Sequence, residues 1–250
     1  MPAVFVHGNP ETSAIWGPLV TALSRTDVVL LSPPGFGAPT PAGWGATREE
    51  YAAWLVGELE AIGEPVDLVG HDWGGGHVLA VAIERPDLLR SWASDVLGIV
   101  EADYVWHDMA QAWQTPEVGE QVVEAFVGMP AADRAAAFSG MGMGDEVGAA
   151  VAEGLDAEMG RCILALYRSA AQPRMAEVGA RLAAAAARPG LAIVPTGDEF
   201  TGGPAMAARA AERAGATVAE LEELGHWWML QDPGRGARIL ESFWSAAAAH

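Results

Sequence analysis

Residues 66–75 read VDLVGHDWGG, and this stretch decides the fold. A run of apolar residues that predicts a buried strand passes through the pattern Gly-x-Asp-x-Gly directly into a helix. A turn this tight needs small residues two positions before and two positions after its centre, and Gly70 and Gly74 meet that need. The turn lifts the Asp72 side chain above the sheet at a helix N-terminus, where backbone N–H groups stabilise negative charge. The stretch therefore predicts Asp72 as a catalytic nucleophile.

The rest of the chain alternates short β-branched runs with longer helical stretches, which is typical of a parallel sheet with helices on both faces. Strands are predicted over 3–6, 28–31, 66–69, 91–97, 191–194 and 217–221. Helices are predicted over 16–23, 48–62, 76–84, 204–214 and 234–247. Only helices and loops are predicted between residues 98 and 188, which indicates a helical cap inserted after one strand. We therefore expect a core formed by residues 1–97 and 189–250, interrupted by a cap over 98–188.

Composition and charge narrow the possible partners of the chain. With 250 residues, 51% of them hydrophobic, the chain can bury the core of one domain with an insertion. The formal charge of −19, from 14 Lys+Arg against 33 Asp+Glu, disfavours binding to nucleic acid or to an anionic membrane surface. No signal sequence or transmembrane stretch is recognisable, so we expect a cytoplasmic protein. The single cysteine, Cys162, excludes an internal disulfide and is expected to be a small buried side chain.

Loops that follow the predicted strands carry the partners of Asp72. Asp198 follows the strand over 191–194, and His226 follows the strand over 217–221. Open sheets of parallel strands place their sites at such carboxyl ends, and the order nucleophile, acid, histidine fits a catalytic triad on this type of turn. Glu199 and Asp95 remain alternative acids for orienting His226.

The sequence His-Gly-Asn-Pro at residues 7–10 directly follows the first predicted strand. Its position suits an oxyanion hole in which the backbone N–H groups of Asn9 and Trp73 stabilise developing charge. An ordinary Asn-Pro turn would show the same pattern.

The other ionisable residues have simpler interpretations. The remaining histidines, at 7, 71, 77, 107 and 250, are expected to be structural or terminal. No grouping of His, Cys and Asp has a metal-binding spacing, so neither a metal nor a cofactor is expected. Asp27, Glu64 and Asp67 are interpreted as solvated loop charges.

An aspartate nucleophile restricts the chemistry. The carboxylate is ionised at neutral pH and attacks an sp³ carbon that bears a leaving group, which forms an alkyl–enzyme ester. His226 then activates the water that hydrolyses this ester. Epoxides and alkyl halides both suit these steps. A halide leaves as an anion and needs only N–H donors, whereas an opening epoxide needs a proton, which a phenol can supply.

Several stretches resemble one branch of the α/β-hydrolase fold superfamily. GHDWGG at 70–75 is similar to the turn shared by epoxide hydrolases and haloalkane dehalogenases, and GHW at 225–227 resembles the epoxide hydrolases more closely. In the predicted cap, Tyr167-Arg168 resembles the pair that supplies a ring-opening tyrosine in epoxide hydrolases. WQTP at 113–116 resembles the aromatic-Gln-x-Pro stretch of the same family.

The resemblance implies an α/β-hydrolase fold with a mostly parallel sheet and an Asp72–Asp198–His226 triad. It further implies an epoxide hydrolase that converts a small, apolar, neutral epoxide to a vicinal diol, with Tyr167 assisting ring opening. Haloalkane dehalogenation is the alternative activity, and a binding protein without catalysis is a weaker one. Two more aromatic residues either line the substrate pocket or pack in the cap: Trp106 and Trp113.

Three features depart from the epoxide hydrolase pattern. A second cap tyrosine would fall near Met109, and Tyr104 is the nearest tyrosine. Asn9, together with Trp73, resembles the pair that grips the halide in haloalkane dehalogenases. Only six residues precede His7, so the two antiparallel strands that usually open this fold are expected to be absent. A sheet edge left bare in this way would favour a homodimer.

Overall fold

The sheet of this protein consists of parallel strands. The computed structural model describes residues 1–248, so His250 lies outside the described residues. The strands are β1 (Ala3–Val6), β2 (Val28–Leu31), β3 (Val66–Gly70), β4 (Leu89–Ser94), β5 (Gly190–Pro195) and β6 (Ala216–Leu221). Their order is β2-β1-β3-β4-β5-β6, and each pair of neighbouring strands is parallel. All six predicted strands are confirmed.

Helices connect the strands and cover the sheet. The α-helices of residues 1–248 are α1 (Gly17–Ala22), α2 (Arg48–Ile62), α3 (Trp73–Glu84), α4 (Asp108–Gln114), α5 (Val118–Gly128), α6 (Ala131–Phe138), α7 (Asp145–Gly154), α8 (Ala157–Ser169), α9 (Arg174–Ala180), α10 (Gly203–Ala214), α11 (Trp228–Gln231) and α12 (Pro233–Ala247). Short 3-10 helices cover Ser13–Trp16, Pro86–Leu88, Leu97–Val100 and Leu182–Ala187, and a π-helical turn covers Ser139–Met143. None of the helices in this part of the chain combines the length and apolar character that spanning a bilayer requires.

The central strands are buried on both faces, to which their successive side chains point in turn. Val4 and Val6 of β1 lie in the layer that contains α2, α3 and α10. Ala3 and Phe5 lie in the layer that contains α1 and α12. Two-sided burial is the physical reason for the continuous apolar runs in the strand sequences.

β4 begins at Leu89 and ends at Ser94, whereas the sequence predicts a strand over 91–97. The apolar run continues beyond Ser94, which is why the predicted strand is too long. The Ser94 hydroxyl accepts the N–H of Val96 at 3.3 Å, and the chain turns there into the 3-10 helix Leu97–Val100. The side chains of that helix stay buried, so their apolar character reflects helix packing and not a strand.

Helices α4 to α9 lie between β4 and β5, and the structure describes no strand in this part of the chain. We call residues 98–188 the cap segment. Its last helical turn, Leu182–Ala187, packs against the core, since the indole N–H of Trp92 donates to the Ala185 carbonyl at 3.1 Å. The boundaries of a separate cap domain therefore stay a prediction.

Asp67 on β3 is fully buried, so its interpretation as a solvated loop charge is wrong. Arg25 donates to its carboxylate at 2.8 Å, Arg90 donates to it at 2.7 Å, and the Ser91 hydroxyl donates at 2.6 Å. A buried carboxylate is tolerated only with such partners. Asp67 therefore ties two arginines to the end of the sheet that lies away from Asp72.

Candidate active site

The turn after β3 holds Asp72 in an unusual backbone conformation. Its φ is 50° and its ψ is −128°, a region that non-glycine residues rarely adopt and that is often found at active sites. A Cβ atom on Gly70 would lie 2.5 Å from the Gly74 backbone, and one on Gly74 would lie 2.1 Å from the Val6 carbonyl oxygen. The requirement for glycine on both sides of Asp72 is thus confirmed by the close approach of the backbone. Helix α3 starts at Trp73, immediately after the turn.

The loop after β1 contacts the Asp72 carboxylate. The backbone N–H of Asn9 donates to Oδ1 of Asp72 at 3.0 Å. A Cβ atom on Gly8 would lie only 2.1 Å from that oxygen, so the loop can approach this closely only with glycine there. Within the described residues, the Asn9 side-chain amide is buried and has no hydrogen-bond partner. One carboxylate oxygen therefore already lies against an N–H donor, and a second amide group beside it is free.

Asp198 and His226 come together with Asp72, as their positions after β5 and β6 predict. The Nδ1 atom of His226 lies 2.9 Å from Oδ2 of Asp198, and its Nε2 atom lies 3.8 Å from Oδ2 of Asp72. A proton on Nδ1, held by the Asp198 carboxylate, leaves the Nε2 lone pair facing the Asp72 side. Glu199, the alternative acid next to Asp198, is exposed to solvent.

The local environment shifts the ionisation of these three groups. Burial raises the pKa of Asp72 to about 6, while the nearby His226 and the Asn9 N–H act in the opposite direction. Burial alone would lower the pKa of His226, but the Asp198 carboxylate more than offsets this effect, so the pKa is raised. Burial would raise the pKa of Asp198, and the charge and hydrogen bond of His226 outweigh it, so that pKa is lowered.

A second buried ionic group lies behind the nucleophile. His71, which immediately precedes Asp72, has its Nδ1 atom 2.6 Å from Asp95 and its Nε2 atom 3.1 Å from Glu11. Burial opposes a charge on His71, but the two carboxylates raise its pKa well above the ordinary value. Asp95 thus partners His71, and the structure gives no support to Asp95 as the residue that orients His226.

The same two carboxylates bind backbone and indole groups around the site. Glu11 accepts the N–H of Gly8 at 3.1 Å and the indole N–H of Trp227 at 2.5 Å. Asp95 accepts the backbone N–H of Asp72 at 3.1 Å and the indole N–H of Trp228 at 2.7 Å. These contacts connect the loop after β1, the nucleophile turn and the loop that carries His226.

Glu11, His71 and His226 each offer one ligand atom within 4.8 Å of the others, a grouping that could in principle hold a metal ion. Metal binding needs neutral imidazoles. His71 lies between two carboxylates that favour its charged form, so hydrogen bonding accounts for this cluster.

A cavity of about 500 Å³ lies beside the carboxylate. Asn9, Asp72 and His226 line it on the core side. Apolar side chains of the cap segment form most of its remaining wall. A cavity with an ionisable cluster in one place and apolar walls elsewhere is typical of a site for a small organic molecule.

Tyr167 and Trp113 line this cavity, and their rings lie 4.8 Å apart. The neighbouring Arg168 forms two hydrogen bonds to Glu120, at 2.7 and 2.8 Å, and donates to the Trp113 carbonyl at 3.2 Å. Helix α8 is thereby joined to α4 and α5, which fixes the Tyr167 ring over the site. Burial, with a further contribution from Asp72, raises the pKa of Tyr167 well above its ordinary value, so the phenol keeps its proton.

Trp73 and Trp106 form a stacked pair, with ring centres 5.8 Å apart and an angle of 21° between the rings. Both line a smaller recess that also borders Asp72 and Tyr167. Trp106 thus lies close to the site, as expected, although the main cavity is lined by Trp113 instead.

Comparison with known proteins identifies the family. A family model described as the alpha/beta hydrolase family matches residues 3–239. The chain belongs to the alpha/beta hydrolase family. The match covers β1 to β6 and all of the site described above.

Curated relatives of this alpha/beta hydrolase match over shorter segments. Haloalkane dehalogenase 2 of Mycobacterium tuberculosis (strain ATCC 25618 / H37Rv) is 34% identical over 110 residues, which are 39% of this chain and 38% of that protein. The epoxide hydrolase of Caballeronia sordidicola is 35% identical over 97 residues, which are 36% of this chain and 29% of that protein. The alignments thus span less than two fifths of either relative.

Solved structures extend the likeness to the whole chain. A loop variant of a haloalkane dehalogenase from Bradyrhizobium elkanii aligns with a TM-score of 0.73 and 24% identity, covering 99% of this chain and 91% of that chain. At this identity the likeness shows the α/β-hydrolase fold and nothing finer.

His107 of this hydrolase lines the site, which the sequence did not predict. The residue was interpreted as structural, yet it lines the cavity together with Asp72. Its Nδ1 atom accepts the N–H of Ala110 at 3.3 Å, so it also caps α4, and its Nε2 atom carries the proton. Burial, assisted by His226, lowers the pKa of His107 to about 4. Its position one residue after Trp106, a predicted pocket residue, is the sequence feature that could have indicated this role.

Proposed function

We propose that this alpha/beta hydrolase is an epoxide hydrolase that acts through an ester formed on Asp72. The observation that carries the proposal is Tyr167. Tyr167 lines the same cavity as Asp72, its hydroxyl keeps its proton, and its hydrogen-bond partner among the described residues is the Trp73 side chain, an indole that donates and cannot accept. A departing halide needs no proton, whereas the alkoxide that forms when an epoxide opens does.

The first step forms the ester. Oδ2 of Asp72 attacks one epoxide carbon while the bond from that carbon to the ring oxygen breaks. The oxygen becomes an alkoxide and takes the Tyr167 proton, which leaves a phenolate. Because the hydrogen bond strengthens as charge builds on oxygen, Tyr167 stabilises the transition state more than the ground state.

The second step hydrolyses the ester. Nε2 of His226 accepts a proton from water as the water oxygen attacks the carboxyl carbon of Asp72. Oδ1 carries the resulting negative charge, against the N–H of Asn9 at 3.0 Å and the N–H of Trp73 at the start of α3. Asp198 stabilises the imidazolium that forms. Collapse of the tetrahedral intermediate breaks the bond between the carboxyl carbon and Oδ2, which leaves with the diol and takes the proton of the hydroxyl that came from water. The carboxylate is thereby restored, and the histidine proton returns to the phenolate.

Haloalkane dehalogenation is the second candidate, and the Asn9 side chain favours it. Its amide is buried without a partner among the described residues and lines the cavity near Asp72. That amide and the Trp73 indole N–H would be donors for a departing halide. The likeness to haloalkane dehalogenase 2 supports this alternative to the same degree as the likeness to an epoxide hydrolase supports the first.

A matched pair of substrates separates the two activities. The purified enzyme would receive 1,2-epoxyhexane or 1-bromohexane, with diol measured by gas chromatography and bromide by ion chromatography. We expect diol at a rate well above that of the Asp72→Ala variant, which is the control, and little bromide. Bromide release without diol formation would favour the dehalogenase. Binding without turnover of either compound would indicate a noncatalytic protein.

A further inference from the structure

Helix α5 carries an apolar face that other side chains of the protein cover only in part. Val122, Val123, Phe126 and Val127 are each only half-buried, and all four line the cavity that contains Asp72. An amphipathic helix normally buries its apolar face against other side chains. Here that face borders empty volume, which leaves room for an apolar ligand.

The far wall of the cavity comes from helices that lie away from the nucleophile in sequence. Ala137 of α6, Leu155 at the end of α7 and Ile163 of α8 line the same continuous volume of about 500 Å³ as Asp72. A substrate of a few carbon atoms would leave most of these side chains without contacts. Because an apolar cavity holds water poorly, filling it with a hydrocarbon chain adds dispersion contacts at little cost.

Away from the catalytic residues, no positive group is found in the described part of the cavity wall. The chain has 14 basic residues, and none lines the cavity in the part of the chain that the structure describes. Its polar lining groups, which include Asn9, His107 and Tyr167, lie near the carboxylate or in the aromatic cluster beside it. A carboxylate or phosphate at the far end of a ligand would lose its hydration without gaining a partner.

We propose that the substrate carries a long, neutral alkyl chain that lies along α5, α6 and α8 while its reactive end meets Asp72. The inference rests on the proposed function and specifies its substrates as terminal epoxides of long hydrocarbons. It revises the expectation of a small substrate and keeps the expectation of an apolar, neutral one. The chain-binding wall is defined by Val122, Phe126, Ala137, Leu155 and Ile163.

A homologous series tests the proposal. The kcat/KM value would be measured for terminal epoxides from 1,2-epoxybutane to 1,2-epoxytetradecane. Each added methylene that becomes buried should raise kcat/KM by up to about fourfold, until the wall is filled and the values level off. Values that stay flat or fall from the shortest member onward would overturn the proposal.

Two neighbouring residues of α6 provide a matched pair of variants. Ala137 is half-buried and lines the cavity, whereas the adjacent Ala136 is exposed and does not. We expect Ala137→Phe to lower kcat/KM for 1,2-epoxydecane about tenfold or more and to lower it much less for 1,2-epoxybutane, since the new ring fills part of the chain-binding wall. Ala136→Phe should leave both values unchanged. Equal losses on both substrates in Ala137→Phe would contradict the assignment of this wall.

Charge at the far end is tested with 9,10-epoxydecanoate, which places a carboxylate where 1,2-epoxydecane ends in a methyl group. We expect at least a hundredfold lower kcat/KM for the acid, and similar values for the two compounds would contradict a neutral chain.

Calorimetry with unreactive 1-alkanols separates this proposal from the proposed function. If neither epoxides nor bromoalkanes react, the function is wrong, but the affinity for 1-alkanols should still rise with chain length. If that affinity is independent of chain length, the chain-binding proposal fails whatever the turnover.

Discussion

Replacing Tyr167 with phenylalanine removes one hydroxyl from the cavity and leaves the ring packing against Trp113 in place. If the hydroxyl stabilises the opening epoxide, its loss should slow ester formation by about 10²–10³, or ~3–4 kcal/mol of transition-state stabilisation. The structure argues for the upper part of this range. The Tyr104 hydroxyl already donates to the Phe200 carbonyl at 2.5 Å, and Met109, at the other expected position, has no proton to donate.

His107 is another hydrogen-bond donor that borders the cavity. The Nδ1 atom of His107 accepts a backbone N–H, so its Nε2 atom carries a proton, and its ring lies 6.5 Å from that of Tyr167. His107→Phe is therefore measured beside Tyr167→Phe and should have the smaller effect. If His107 partly replaces the missing Tyr167 hydroxyl, the rate of ester formation in Tyr167→Phe should fall by only about 10².

The assay is single-turnover ester formation, followed by the fluorescence of the tryptophans around Asp72 after rapid mixing with 1,2-epoxyhexane. The same variants are tested with 1-bromohexane, where Tyr167→Phe should change little. Ester formation from the epoxide at the wild-type rate in Tyr167→Phe would refute the reasoning and would move the proposed function towards dehalogenation.

Four more outcomes are expected. Asp198→Asn should lower turnover strongly while Glu199→Gln changes it little, as steady-state kinetics would reveal, because Asp198 hydrogen-bonds to His226 whereas Glu199 is exposed to solvent. Ester formation should decline as pH falls through about 6, where Asp72 becomes protonated and neutral. Ester hydrolysis should slow as the pH falls, beginning above the ordinary imidazole range, because the pKa of His226 is raised and its protonated form cannot accept a proton. A pH–rate profile that stays flat down to pH 5 would contradict both pH predictions. Asp67→Asn should lower the free energy of unfolding in urea by about 1.5–3 kcal/mol, because it leaves two half-buried arginines without the carboxylate that they share, and unchanged stability would contradict that role.

Sequence patterns could predict the elements whose signals are local. β1 matches its predicted bounds because four apolar residues in a row suit a strand that is buried on both faces, and β2 also matches although it is an only partly buried edge strand. The turn around Asp72 was predictable because both glycines belong to one short pattern, although Gly70 is required by the nearby Gly74 backbone and Gly74 by the backbone of Val6 on β1. The positions of Asp198 and His226 followed from strand order, and in the structure His226 lies between Asp198 and the Asp72 carboxylate.

Features that depend on distant contacts could not be predicted. Asp67 looks like a loop charge until Arg25 and Arg90 are placed beside it by the fold. The pairing of His71 with Glu11 and Asp95 joins three separate loops, and no local pattern indicates it.

The size of the cavity was equally inaccessible to sequence analysis. It depends on how far α5 and α6 stand from the core, because the same apolar residues would appear in a cap that packs tightly. The expectation of a small substrate therefore had no structural basis, and the chain-length series addresses it directly.

The central claim is that Asp72 becomes covalently bonded to the substrate. Incubating His226→Gln with 1,2-epoxyhexane should trap the ester, because the water-activating base is absent while the nucleophile remains. Intact-mass spectrometry should show an increase equal to one epoxide molecule, and peptide mapping should locate it on the peptide that contains Asp72. Wild-type enzyme that turns over the epoxide, together with a His226→Gln variant that carries no adduct or carries it on another residue, would contradict the account.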